Sequence, residues 1–162
     1  MAWTTPKTDW TTGELVAAED MNAVGENLAQ LGSVRSAVGA YTTPEDITAG
    51  VSEFTDIDSS NLSLTITTAG GDVMIHFHGS VERFGGQWTY MDIDLDVDGN
   101  RQGDDSGILQ FFIDHKETTV SFTRLIQNLA AGSHTFKLQW KHDNRAVGSR
   151  LFAGAQFWVR EI

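Results

Sequence analysis

Asp94-Leu95-Asp96-Val97-Asp98-Gly99 opens like a D-x-D-x-D-G calcium loop, and Asp105 falls at its twelfth position. A hard cation needs several oxygens converging on one point, and alternate carboxylates ahead of a glycine turn can supply them. The flanks argue for a strand instead. Leu95 and Val97 continue an apolar alternation that begins at Met91, Arg101 stands where such a loop is usually apolar, and Asp105 replaces the bidentate glutamate. On a strand, Asp92, Asp94, Asp96 and Asp98 share one face at a spacing of about 7 Å. Such a row repels itself unless a cation, a neighbouring Arg or Lys, or salt compensates. A solvated acidic face is the expectation, a bound cation the alternative, and no residue is assigned as a metal ligand.

His76-Phe77-His78 places two imidazoles on one strand face with Phe77 turned inward. Two ligands are too few for a protein-only zinc site, so surface or hydrogen-bonded histidines are expected, with a six-nitrogen metal site gathered from such pairs around a trimer axis as the alternative. Gly103-Asp104-Asp105-Ser106-Gly107 is superficially like a protease nucleophile loop, but its order is wrong, and no G-x-S-x-G elbow occurs. Nothing in the sequence sets a base beside a nucleophile, so no catalytic residue and no cofactor are assigned. Of the five tryptophans, Trp140 and Trp158 sit in strong strand patterns, and one or both belong in a core. Trp88 follows Gly85-Gly86-Gln87 at a loop-to-strand junction. Burial is favoured there, with stacking on a sugar or a partner surface as the alternative. Trp3 and Trp10 have little around them to bury and read as anchors into another subunit or protein.

These residues need a frame to hold them, and the sequence changes character near residue 40. Met21, Val24, Leu28 and Leu31 recur at spacings of 3, 4 and 3, a narrow two-heptad stripe on a short helix. A helix this short is marginal alone, and Gly25 weakens it by about 1 kcal/mol. It therefore packs on its own β-domain or forms a parallel bundle between copies. From Tyr41 onward about eight strand-like runs follow: Ile47–Phe54, Asn61–Thr67, Val73–Phe84, Tyr90–Val97, Ile108–Ile113, Thr118–Leu125, Thr135–Trp140 and Phe152–Val159. Asp98-Gly99-Asn100 marks a hairpin turn. The expected fold is mainly β, an antiparallel jelly-roll sandwich (41–162) preceded by an N-terminal arm and short α-helix (1–40).

Composition narrows the function classes. With 40% hydrophobic and 20% charged residues in 162, the chain is folded and close to one domain in size. The absence of cysteine excludes disulfides, thiol catalysis and cysteine zinc sites. The net charge of −11 repels phosphate, which makes nucleic acid a poor partner, and none is expected. No apolar run approaches the ~18 residues of a spanning helix, and Met1-Ala2-Trp3-Thr4-Thr5-Pro6 shows no signal pattern, so no membrane insertion is expected.

Trp10-Thr11-Thr12-Gly13-Glu14-Leu15-Val16-Ala17-Ala18-Glu19-Asp20-Met21-Asn22-Ala23, continued by Glu26-Asn27-Leu28-Ala29-Gln30-Leu31, resembles the N-terminal segment of tailed-virus (phage) virion proteins, fibre and tail-associated components. Ala17 departs from the usual Thr, a helix N-cap whose loss costs about 1 kcal/mol. The resemblance implies a virion appendage, with residues 1–40 for attachment and oligomerisation. Leu129-Ala130-Ala131-Gly132-Ser133-His134-Thr135-Phe136-Lys137-Leu138-Gln139-Trp140 is similar to the penultimate strand of complement and tumour-necrosis-factor-like jelly rolls, which are commonly trimers. Together these imply a non-enzymatic virion structural protein, displayed as a fibre, decoration or tail-associated component. Its implied partners are further copies in a homotrimer, other virion proteins and a host surface glycan. The alternative from another class is a stand-alone carbohydrate-binding β-sandwich module.

Overall fold

The computed structural model describes residues 21, 22, 24, 35–40, 45–47, 52–84, 89–113, 117–142 and 148–162. Two compact units divide the chain, Met1–Arg35 and Ser36–Ile162. In the first, Met21, Asn22 and Val24 are helical, and Met21 and Val24 are exposed. Leu28, Leu31, Trp3, Trp10 and Trp88 lie outside the described residues.

The second unit carries twelve described strands: β1 (Ser36–Ala40), β2 (Glu45–Ile47), β3 (Thr55–Asp56), β4 (Ser63–Thr68), β5 (Gly71–Phe84), β6 (Thr89–Val97), β7 (Asn100–Arg101), β8 (Leu109–Ile113), β9 (Thr118–Leu129), β10 (Gly132–His142), β11 (Gly148–Leu151) and β12 (Gln156–Glu161). They form two six-stranded antiparallel sheets, and the expected antiparallel jelly-roll sandwich is present. The first sheet runs β1-β12-β5-β11-β2, with β9 along the other edge of β5. The second runs β3-β10-β6-β7, with β4 on β10 and β8 on β6. The sheet starts at Ser36, inside the stretch read as arm, because Ser36–Ala40 pairs residue for residue with β12.

Alternation builds the core. Val73, Ile75, Phe77 and Val81 of β5 face Met91, Ile93 and Leu95 of β6 and Phe136, Leu138 and Trp140 of β10, joined by Leu62, Phe157 and Val159. Period-2 geometry then sends the intervening residues outward, and these carry the chemistry. The β6–β7 hairpin closes through Asp98 (φ 53°) and Gly99 (φ 84°), the two left-handed positions that match strand twist. Gly39 is fixed by space rather than φ, since a Cβ there would fall into the backbone carbonyl of Asn61.

Candidate binding face

Two sheet faces present polar side chains to the outside, and they differ in kind. On the second sheet, Asp92, Asp94 and Asp96 point away from the core yet are 5%, 0% and 7% exposed. The solvated acidic face expected from sequence is therefore corrected: this row is covered and neutralised in place. Register sets Lys141 opposite Asp92, Gln139 opposite Asp94 and Lys137 opposite Asp96. Arg101 Nε donates to Asp94 Oδ2 at 2.7 Å, while the Leu95 and Gly103 amides donate to its Oδ1 at 2.8 Å each. Lys141 Nζ is 3.6 Å from Asp92. The Phe54 ring roofs the network, with the Arg101 guanidinium 4.0 Å and Lys141 Nζ 4.6 Å from its centroid. Lys137 and Gln139 turn to Asp56, each donating at 2.9 Å. Burial opposes the charge on Asp56, but the Gln139 amide and the Lys137 ammonium outweigh it and hold its carboxyl below the usual range.

The calcium-loop pattern dissolves on the same evidence of geometry. Asp94 is tied to Arg101, Asp96 Oδ1 accepts the Gly99 amide at 2.9 Å, and Asp98 accepts the Thr135 amide at 2.8 Å. Each carboxylate is met by donors of its own, and they do not converge. Among the described residues no cluster of three His, Asp or Glu could hold a metal ion.

The outer face of the first sheet is open. Cross-strand register over β1, β12, β5 and β9 builds three parallel rows. The first is Ser36, Arg160, Met74 and Leu125; the second is Val38, Trp158, His76 and Thr123; the third is Ala40, Gln156, His78 and Ser121. None of these twelve residues is a carboxylate, in a chain with 22 Asp and Glu. Val38 is 68% and Leu125 42% exposed. His76 stacks on Trp158 with centroids 5.3 Å apart, and its Nδ1 meets Thr123 Oγ1 at 3.0 Å. A recess of about 240 Å³ is lined by Ser36, Val38, Trp158, Val159 and Arg160.

Several sequence expectations resolve here. Phe77 is buried, with His76 and His78 on one outward face, as read. Trp140 is core, but Trp158 is half-buried on the open face. Three consecutive apolar residues, Phe157-Trp158-Val159, conceal which one points outward, so sequence reasoning missed this face. Val38 and Arg160 were missed with it. Their only signal is the alternation of β1 and β12, visible once the pairing is known.

The architecture defines a class, the two-sheet antiparallel β-sandwich. No protein-family model matches the sequence, and no curated protein matches it. A chain in the structure of infectious bursal disease virus, Gt strain, is similar over 78% of this chain and 33% of that one, at 8% identity and a TM-score of 0.53. A chain of the Gx strain is similar at 11% identity and a TM-score of 0.50, over 80% of this chain and 32% of that one. The CBM36-1 domain of a multidomain xylanase from the hindgut metagenome of Trinervitermes trinervoides aligns at 14% identity and a TM-score of 0.41, over 78% of this chain and 97% of that one. The chain spans about a third of the length of the viral chains, and the likeness to them is one of fold.

Proposed function

We propose that the chain is a non-enzymatic structural protein of a tailed virus, displayed on the virion as a fibre, decoration or tail-associated component. The observation that carries this reading is the segment Trp10–Leu31, with its likeness to virion attachment segments. A sandwich shared with viral chains is compatible with it. In this reading the N-terminal region attaches and oligomerises. Met21, Val24, Leu28 and Leu31 form the seam of a homotrimer, Trp3 and Trp10 anchor on other virion proteins, and the sandwich is displayed.

The side chains fit binding better than catalysis. His76 touches a threonine hydroxyl, and the three rows around it hold no carboxylate to orient the ring as a base. His134 is occupied by Asp98 and by the Ala130 carbonyl. A stand-alone carbohydrate-binding module is the second reading, favoured by the half-buried Trp158 on the open face and not by the Asp row or Trp88. The neighbouring reading frames separate the two. Portal, capsid or tail genes support the virion reading, and genes for carbohydrate-active enzymes would overturn it.

A further inference from the structure

We infer that the open face of the first sheet is a binding site for an acidic saccharide, a pyranose bearing a carboxylate of the uronate type, seated on Trp158 and Arg160. Arg160 is exposed, and among the described residues no carboxylate pairs with it. In a chain of net charge −11, a guanidinium on three rows that hold no Asp or Glu is a local positive centre set in a negative surface. It draws an anion to this face and away from the rest. A guanidinium also grips a carboxylate through two parallel hydrogen bonds, which sets orientation as well as charge.

Trp158 and Arg160 are two residues apart on one strand face, so their side chains emerge about 7 Å apart. That matches one pyranose ring lying with its C–H face on the indole and its carboxylate on the guanidinium. Ser36 lines the recess with a hydroxyl, and His76 backs the indole by stacking. The recess of about 240 Å³ is below the ~300 Å³ of drug-sized pockets and suits a single six-membered ring. A second copy of the chain is the rival occupant. A stable interface needs about 800 Å² from each partner. Three rows across four strands present roughly 400 Å². Area therefore favours the small ligand.

The site deepens the proposed function and rests on it for a sandwich displayed to solution, but the two fail separately. Absence of the chain from virus particles removes the virion reading and leaves the site standing. The test is titration of the full chain with trigalacturonate and with its methyl ester, followed by saturation-transfer NMR. Trigalacturonate is expected to bind saturably at about millimolar Kd, with the ester at least tenfold weaker. Arg160→Gln should abolish that preference, whereas Arg124→Gln, at another exposed arginine outside the rows, should preserve it. No saturable binding, or an acid preference that survives Arg160→Gln, would overturn the inference. Val38→Asp supplies the second arm. Its mass by light scattering should equal that of the parent, and a fall in mass would put a second copy on this face and overturn the site.

Discussion

His134 Nδ1 lies 2.6 Å from Asp98 Oδ2, an ion pair that ties the start of β10 to the hairpin turn between β6 and β7. The other ring nitrogen, Nε2, is 2.8 Å from the Ala130 carbonyl, so the doubly protonated ring donates at both ends. Asp98 Oδ1 accepts the Thr135 amide at 2.8 Å, and the Asp98 amide donates to the Thr135 carbonyl at 3.0 Å. The clamp fixes a turn whose first residue is a non-glycine in the left-handed region.

The pair makes stability pH-dependent in a definite direction. The Asp98 hydrogen bond raises the His134 pKa above its ordinary 6.5. The His134 bond, helped by the Thr135 amide, lowers that of Asp98 below its ordinary 3.8. The His134 contribution is complete below 6.5 and is lost as pH rises through its raised value. The Asp98 contribution is complete above 3.8 and is lost as pH falls through its lowered value. Asp98 is half open to solvent, so the pair belongs with exposed ion pairs worth about 0.2–1 kcal/mol. Melting at about pH 5.5 should exceed that at about pH 8.5 by roughly 1–3 °C from this pair. His134→Gln should remove that component of the difference between the two melts.

Arg101→Met should cost about 2–3 kcal/mol, because it leaves the fully buried Asp94 carboxylate with two amide donors and no charge partner. It also strips one cation from the Phe54 ring. Phe54→Leu should cost less, about 1 kcal/mol, since the ion pairs beneath remain. Urea unfolding orders the two variants, and an equal loss for both would show that the ring matters as much as the charge.

Gly39→Ala should cost about 1–3 kcal/mol, because the added methyl meets backbone, which yields less readily than a side chain. The loss should appear as faster amide exchange across β1 and its partner β12, with β10 protected as before.

The proposed homotrimer should tighten as salt rises. Each copy brings a net charge of −11, and four side chains of a two-heptad seam bury too little to offset that repulsion at low ionic strength. Light scattering at low and high salt checks this, and a monomer at both would end the trimer.

How much was legible follows from what alternation can encode. β4, β5, β6 and β10 each carry several inward apolar residues separated by polar ones, and the sequence shows both their positions and their parity. β2, β3 and β7 have two or three residues, too few for a period, and β1 is the Ala- and Gly-bearing Ser-Ala-Val-Gly-Ala. Only their partners make them strands. The Asp row was legible as a row but not as a covered one. Its roof comes from Phe54 and from the loop after β7, and its counter-charges from Arg101 of β7 and from Lys141 of β10, far along the chain. The open face was hidden for the same reason, since β1, β12, β5 and β9 meet only through long-range pairing.

The proposed role requires the chain to be part of a virus particle. Gradient-purified tailed particles, probed with an antibody to the sandwich and by mass spectrometry, test it most directly. The chain should co-sediment with the particles, and the antibody should label them at tail or capsid. Recovery of the chain only from the particle-free fraction would contradict the account.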